Sequence, residues 1–112
     1  MNKEKQVIKI QLDYLQGPIW ISDIETGEPM TGIDIVDSDK VLKSLNYAAG
    51  QMFSSYYEFD SHGVPCRFNY DKEKVEKGKM LDLINRIKKR LNEINDGSFT
   101  IEDLETERLK NL

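Results

Sequence analysis

His62 and Cys66 lie four residues apart, and an imidazole and a thiol at that spacing are suited to holding a metal ion or to nucleophilic catalysis. The pair supplies two ligands where a structural zinc takes four, and the chain has no other His or Cys to complete the set. A Cys–His catalytic pair also needs a third group to orient the base, and none is indicated. The expectation is a loop histidine and a half-buried cysteine, with no metal, no cofactor and no catalytic residue. Carboxylates recur in pairs at Glu25 and Glu28, Asp37 and Asp39, and Glu58 and Asp60. General acid–base work requires two acids with separated pKa values across a cleft. Surface charge and helix capping explain such pairs more simply. Gly17, Gly27, Gly32 and Gly50 are spaced as turn or packing glycines, with no Gly-Lys-Ser/Thr phosphate loop. The basic run Arg86 to Arg90 has no interleaved aromatics and reads as the solvated face of an amphipathic helix, so no nucleic-acid partner is expected.

These residues must be positioned by short elements. Ile8, Ile10, Leu12 and Tyr14 alternate with Lys9, Gln11 and Asp13, which predicts a half-buried strand over 7–15. Gly17-Pro18 breaks it, and further strands are expected at 19–24 and 32–36, joined by short turns into an antiparallel meander. Asp37 or Ser38 then caps a helix over 38–58, whose stripe is Val41, Leu45, Ala48, Met52 and Tyr56. A loop at 60–63 leads to a short edge strand near 64–70, demoted by Pro65. A second long helix is expected at 71–95, with Met80, Ile84, Ile87, Leu91 and Ile94 as its buried stripe and Gly97 beyond its end. Thr100 to Asp103 resembles a capping box opening a last helix at 101–109. The fold class is thus α+β: one domain over 1–112, with a small antiparallel sheet of three to four strands against two main helices in a two-layer sandwich. Trp20 falls mid-strand, as core or as a lid on the second sheet face, with an interface anchor as the other reading.

At 112 residues the chain has room for one modest core and little spare mass for a deep cleft. No apolar run approaches the ~18–20 residues that cross a bilayer, and no secretory signal is expected at the N-terminus. One cysteine agrees with a reducing compartment, so the expected location is cytoplasmic, with no membrane partner. The net charge of −4 is unevenly spread. Residues 10–70 hold nine acids against three bases, whereas residues 71–94 hold eight bases against five acids. An acidic body repels nucleic acid and attracts basic proteins in a salt-sensitive way.

The strand pair Tyr14-Leu15-Gln16-Gly17-Pro18-Ile19-Trp20, the segment Gly32-Ile33-Asp34-Ile35-Val36 before a helix, and Glu93-Ile94-Asn95-Asp96-Gly97-Ser98-Phe99 followed by Glu102-Asp103-Leu104-Glu105 give the chain its general character. In these the chain resembles the small immunity proteins of bacterial polymorphic-toxin and contact-dependent growth inhibition systems. The resemblance implies a non-enzymatic protein that binds and neutralises a cognate toxin domain in the cytosol, often a nuclease with a basic site. The expected contact surface is Asp23, Glu25, Glu28, Asp34, Asp37, Asp39, Tyr57, Glu58 and Asp60. The alternatives are a homodimeric adaptor or regulatory subunit, using strand edges or an apolar face around Trp20, and a small enzyme built on His62 and Cys66.

Overall fold

Val7 and Lys9 face water while Ile8 and Ile10 are buried, which is the period-two signature of a strand with one wet face. In the computed structural model, which describes residues 6–14, 17–23, 25–59 and 65–112, these residues form the first of nine elements. In chain order they are β1 (Gln6–Ile10), β2 (Ile19–Trp20), α1 (Asp34–Asp37), α2 (Lys40–Ser54), β3 (Tyr57–Phe59), β4 (Pro65–Phe68), α3 (Tyr70–Ile94), β5 (Phe99–Asp103) and α4 (Thr106–Lys110). The fold is α+β. A three-stranded sheet of order β2-β1-β5 and a separate β3-β4 pair accompany two main helices, α2 and α3.

The main sheet is mixed rather than an antiparallel meander. β1 pairs antiparallel with β2 through Ile10 and Ile19, and parallel with β5 from Gln6 opposite Phe99 to Ile10 opposite Asp103. A parallel pair needs a long crossover, and nearly the whole chain between β2 and β5 supplies it. The register puts Ile8, Ile10, Phe99 and Ile101 on the inner face and Val7, Lys9, Thr100 and Glu102 on the outer face.

The two long helices close the core over that inner face. Asp39 caps α2 by accepting from the Leu42 amide at 2.8 Å, and Asn69 caps α3 by accepting from the Lys72 amide at 2.9 Å. Leu42, Ala49 and Phe53 from α2 meet Met80, Ile84, Ile87 and Leu91 from α3 in one cluster with Ile8, Ile10, Ile19 and Phe99. Each fully buried aliphatic side chain stabilises the fold by roughly 1.5–3 kcal/mol. The end of the chain is tied on by charge. Arg108 of α4 donates to both oxygens of Glu73, at 3.1 and 2.8 Å, and to Glu105 at 2.7 Å; Glu73 is only 1% exposed. Among the described residues no helix is long and apolar enough to cross a membrane.

Five expected elements are corrected. The strand expected over 7–15 ends at Ile10, and the one expected over 19–24 ends at Trp20. Residues 32–36 are not a strand. Ile33 and Val36, three apart, are the buried pair, and the Asp37 carboxylate folds back to accept from the amides of Thr31 and Gly32 at 2.9 and 2.8 Å, winding the turn α1. Gly32, at φ 86°, makes the left-handed entry that this turn needs. The helix expected over 38–58 stops at Ser54, because the aromatic residues beyond it pair as β3 with β4, Tyr57 opposite Phe68 and Glu58 opposite Arg67. The helix expected over 101–109 begins only at Thr106, since Phe99 to Asp103 extend along β1 as β5. The turn into α4 is held by Asp103, whose Oδ1 accepts from the amides of Glu105 and Thr106 at 2.9 and 3.0 Å.

Candidate functional site

Asn46 stands in the buried stripe of α2, where a polar amide must find partners inside the protein. Its Oδ1 accepts from the Ile19 amide at 2.9 Å, and its Nδ2 donates to Ser22 Oγ at 2.8 Å and to the Gly27 carbonyl at 2.9 Å. The Ser22 hydroxyl donates in turn to the Ile19 carbonyl. One side chain therefore pins the end of β2 and the ribbon after it to the second helix.

That ribbon is formed by residues 21–23 and 25–30. Ser22 bridges Pro29 in antiparallel fashion, the Asp23 amide donates to the Glu28 carbonyl at 3.0 Å, and the Met30 amide donates to the Ile21 carbonyl at 2.8 Å. The tip is a tight turn in which Asp23 Oδ1 accepts from the amides of Glu25 and Thr26. Gly27 is required there. It has φ 76°, and a Cβ at that position would lie 2.4 Å from Tyr47 Cβ and 2.6 Å from the Lys43 carbonyl of α2.

The ribbon register sorts its side chains. Ser22 and Pro29 are buried against the body, so their neighbours Ile21, Met30, Asp23 and Glu28 face outward. Ile21 is 49% exposed and Met30 60%, directly opposite each other. Tyr47, 45% exposed, flanks the tip at Gly27. The ribbon thus presents an apolar pair beside Glu25 and Glu28, both exposed.

The nine residues expected to form one acidic surface do not gather there. Asp23, Glu25 and Glu28 share the ribbon, and Asp34 is exposed on α1. Asp37 is turned onto Thr31 and Gly32. Asp39, its side chain 8% exposed, caps α2 and forms a forked pair with Arg90, whose hydrogen bonds hold its carboxyl below the usual range. Glu58 binds Arg67 through two hydrogen bonds of 2.8 and 3.0 Å, and that guanidinium lowers its pKa. Tyr57 is half-buried among Tyr14, Phe53 and Phe68, so it is a packing residue of the hairpin; burial raises its phenol. Asp60 and His62 lie outside the described residues, as does the side chain of Cys66. Among the described residues no group of three His, Cys, Asp or Glu is arranged to hold a metal ion.

Three of the four bases in the run from Arg86 to Arg90 are paired at home. Arg86 pairs with Asp82, Lys88 with Asp103, and Arg90 with Asp39 and Glu93. A shallow groove of about 300 Å³ between α2 and α3 has Val41 and Leu45 as its apolar side and Arg86, Lys89, Arg90 and Glu93 as its charged side. Trp20 is half-buried on the outer sheet face, in one cross-strand row with Lys9 and Glu102.

Sequence reasoning missed Ile21, Met30 and Tyr47. Ile21 sits in an apolar run that reads as core, and nothing in the sequence pairs it with Met30 across a turn. No family model, no curated protein and no solved structure matches the chain.

Proposed function

We propose that this protein is a non-enzymatic binding protein that neutralises a basic protein domain, as an immunity protein neutralises its cognate toxin in the cytosol. The observation that carries the reading is the ribbon after β2, where Ile21 and Met30 are exposed side by side and Glu25 and Glu28 stand beside them, among the described residues without the internal ion pairs that occupy Asp39 and Glu58. Exposed apolar side chains with a charged rim are the anatomy of a binding surface. Acids there speed the approach of a basic partner, and the apolar pair slows its release. A nuclease toxin suits this chemistry, because a site that binds phosphate is basic and an acidic ribbon competes for it. The contact surface proposed is Ile21, Glu25, Glu28, Met30 and Tyr47.

The test is affinity capture of the tagged chain from its own host, followed by reconstitution with the captured domain. The expected result is a stoichiometric complex with the C-terminal domain of a large secreted protein encoded next door, whose toxicity the chain abolishes. Ile21→Asp with Met30→Asp should weaken that complex by roughly thirty- to a thousandfold, at roughly 1–2 kcal/mol for each anchor lost. A chain that recovers no such domain from cells expressing it, or whose affinity ignores the double substitution, refutes the reading.

A further inference from the structure

β5 is an edge strand whose hydrogen-bonding groups divide cleanly. The Gln6 amide donates to the Ser98 carbonyl at 3.2 Å, and the Leu104 amide donates to the Ile10 carbonyl at 3.0 Å. With the parallel register between them, this assigns the main-chain groups of Thr100 and Glu102 to β1 and turns those of Phe99, Ile101 and Asp103 to the far side. Among the described residues no strand pairs with that side. The Phe99 carbonyl accepts from Asn95 Nδ2 at 2.9 Å, while the central residue Ile101 presents both its amide and its carbonyl. Such an edge is a template for another strand.

We propose that the chain forms a two-fold dimer in which β5 pairs antiparallel with β5 of a second copy, centred on Ile101, so that the two sheets become one. The register follows from the groups available. Centring on Ile101 sets Ile101 opposite its own counterpart and Phe99 opposite Asp103 of the second copy, so all three outward-facing residues fall in hydrogen-bonded pairs, the Phe99 carbonyl accepting the Asp103 amide of the second copy beside Asn95 Nδ2 on its second lone pair. A centre at Thr100 or Glu102 would leave two such pairs instead of three, the latter with Glu102 opposite itself, and a centre at Phe99 or Asp103 would leave one. The same register is compatible in charge. On the outer face Glu102 meets Thr100 of the second copy rather than another Glu102, and Lys9 lies beside it on β1. On the inner face Asp103 is already paired with Lys88 at 2.9 Å. A second copy is the occupant because this one strand supplies both halves of a complementary pair. The acidic ribbon continues from β2, at the opposite edge of the sheet, so the dimer leaves both ribbons open and stands or falls independently of what they bind.

The experiment is sedimentation equilibrium of the whole chain from ~10 µM to ~1 mM, since an edge contact of this size belongs to the weak, concentration-dependent class. The mass should rise toward that of two chains. Thr100 is exposed on the outer face, so its substitution leaves the core intact, as circular dichroism would verify. Thr100→Lys places a cation opposite Glu102 of the second copy in both symmetric pairs and should tighten the dimer roughly tenfold, whereas Thr100→Glu should loosen it by a similar factor. In hydrogen exchange the Ile101 amide should gain protection with concentration while the Thr100 amide, bonded to β1, stays protected throughout. A mass of one chain at ~1 mM overturns the proposal. So does a dimer that responds to neither substitution, or an Ile101 amide whose exchange ignores concentration.

Discussion

Asn46 makes three internal hydrogen bonds from a helix position otherwise given to Leu42, Ala49 and Phe53. Asn46→Ala strands the Ile19 amide, the Gly27 carbonyl and one bond of Ser22, and we expect a loss of roughly 2–4 kcal/mol in urea denaturation. Asn46→Asp should lose a similar amount, because a carboxylate keeps the acceptor for Ile19 but sets an anion against the Gly27 carbonyl. A loss below about 0.5 kcal/mol in both would mean that the ribbon does not depend on this residue. Tyr56 is the opposite case. Its ring is fully buried among Phe53 and Phe68, its hydroxyl has no hydrogen-bond partner among the described residues, and burial, with the nearby Glu76 and Glu73, pushes its phenol up to about 12. Tyr56→Phe removes a desolvated hydroxyl at no cost in packing, so stability should rise by up to about 1 kcal/mol. A clear drop in melting temperature would show that the hydroxyl has a partner after all. Neither role is legible in the sequence: the stripe expected for α2 includes Val41 and Ala48, which are exposed, where the buried face is Leu42, Asn46, Ala49 and Phe53, and no stripe says which polar atoms meet on that face.

At the scale of elements, legibility followed periodicity. The long helix α3 was readable because Met80, Ile84, Ile87 and Leu91 keep one face over its whole length. The turn α1 was not, since Ile33 and Ile35 satisfy a strand period while Ile33 and Val36 satisfy a helical one, and only the Asp37 carboxylate on Thr31 and Gly32 decides between them. β5 reads as a helix start because Thr100 and Asp103 imitate one, whereas the capping carboxylate serves a helix beginning three residues later. That carboxylate carries a pH signature. Burial opposes ionisation of Asp103, but the Thr106 hydroxyl, the Lys88 ammonium and the amides of Thr106 and Glu105 outweigh it and hold its pKa at about 2. A pKa lowered in the folded state stabilises the fold above the unfolded value of 3.8 and ceases to do so as pH falls toward about 2. Asp39, also lowered, acts with the same sign. Asp103→Asn should therefore cost about 2 kcal/mol at neutral pH and flatten the stability profile between about pH 4 and 2. An unchanged acid limb would place the acid-sensitive group elsewhere.

Across the whole molecule, a formal charge count overstates the acidic surface. Residues 10–70 hold nine acids and three bases, yet Arg90 reaches from α3 to cover Asp39, and Arg67 covers Glu58 within the hairpin. The field that a distant partner meets near the ribbon comes from Asp23, Glu25 and Glu28, none of which has an ion pair among the described residues. Under the proposed function this separates two kinds of charge reversal. Glu25→Lys with Glu28→Lys should leave stability nearly unchanged, lower the association rate with a basic partner roughly tenfold at low salt, and flatten its decline with ionic strength. Asp39→Lys should do the reverse: it removes a helix cap and leaves Arg90 facing a like charge, so the fold weakens while association of the remaining folded protein changes little. Stopped-flow association at several salt concentrations, paired with thermal melts, separates the two. Equal rate losses from both reversals would mean that the partner reads the net charge of the body rather than the ribbon, and the contact surface would have to be redrawn around α1 and the start of α2.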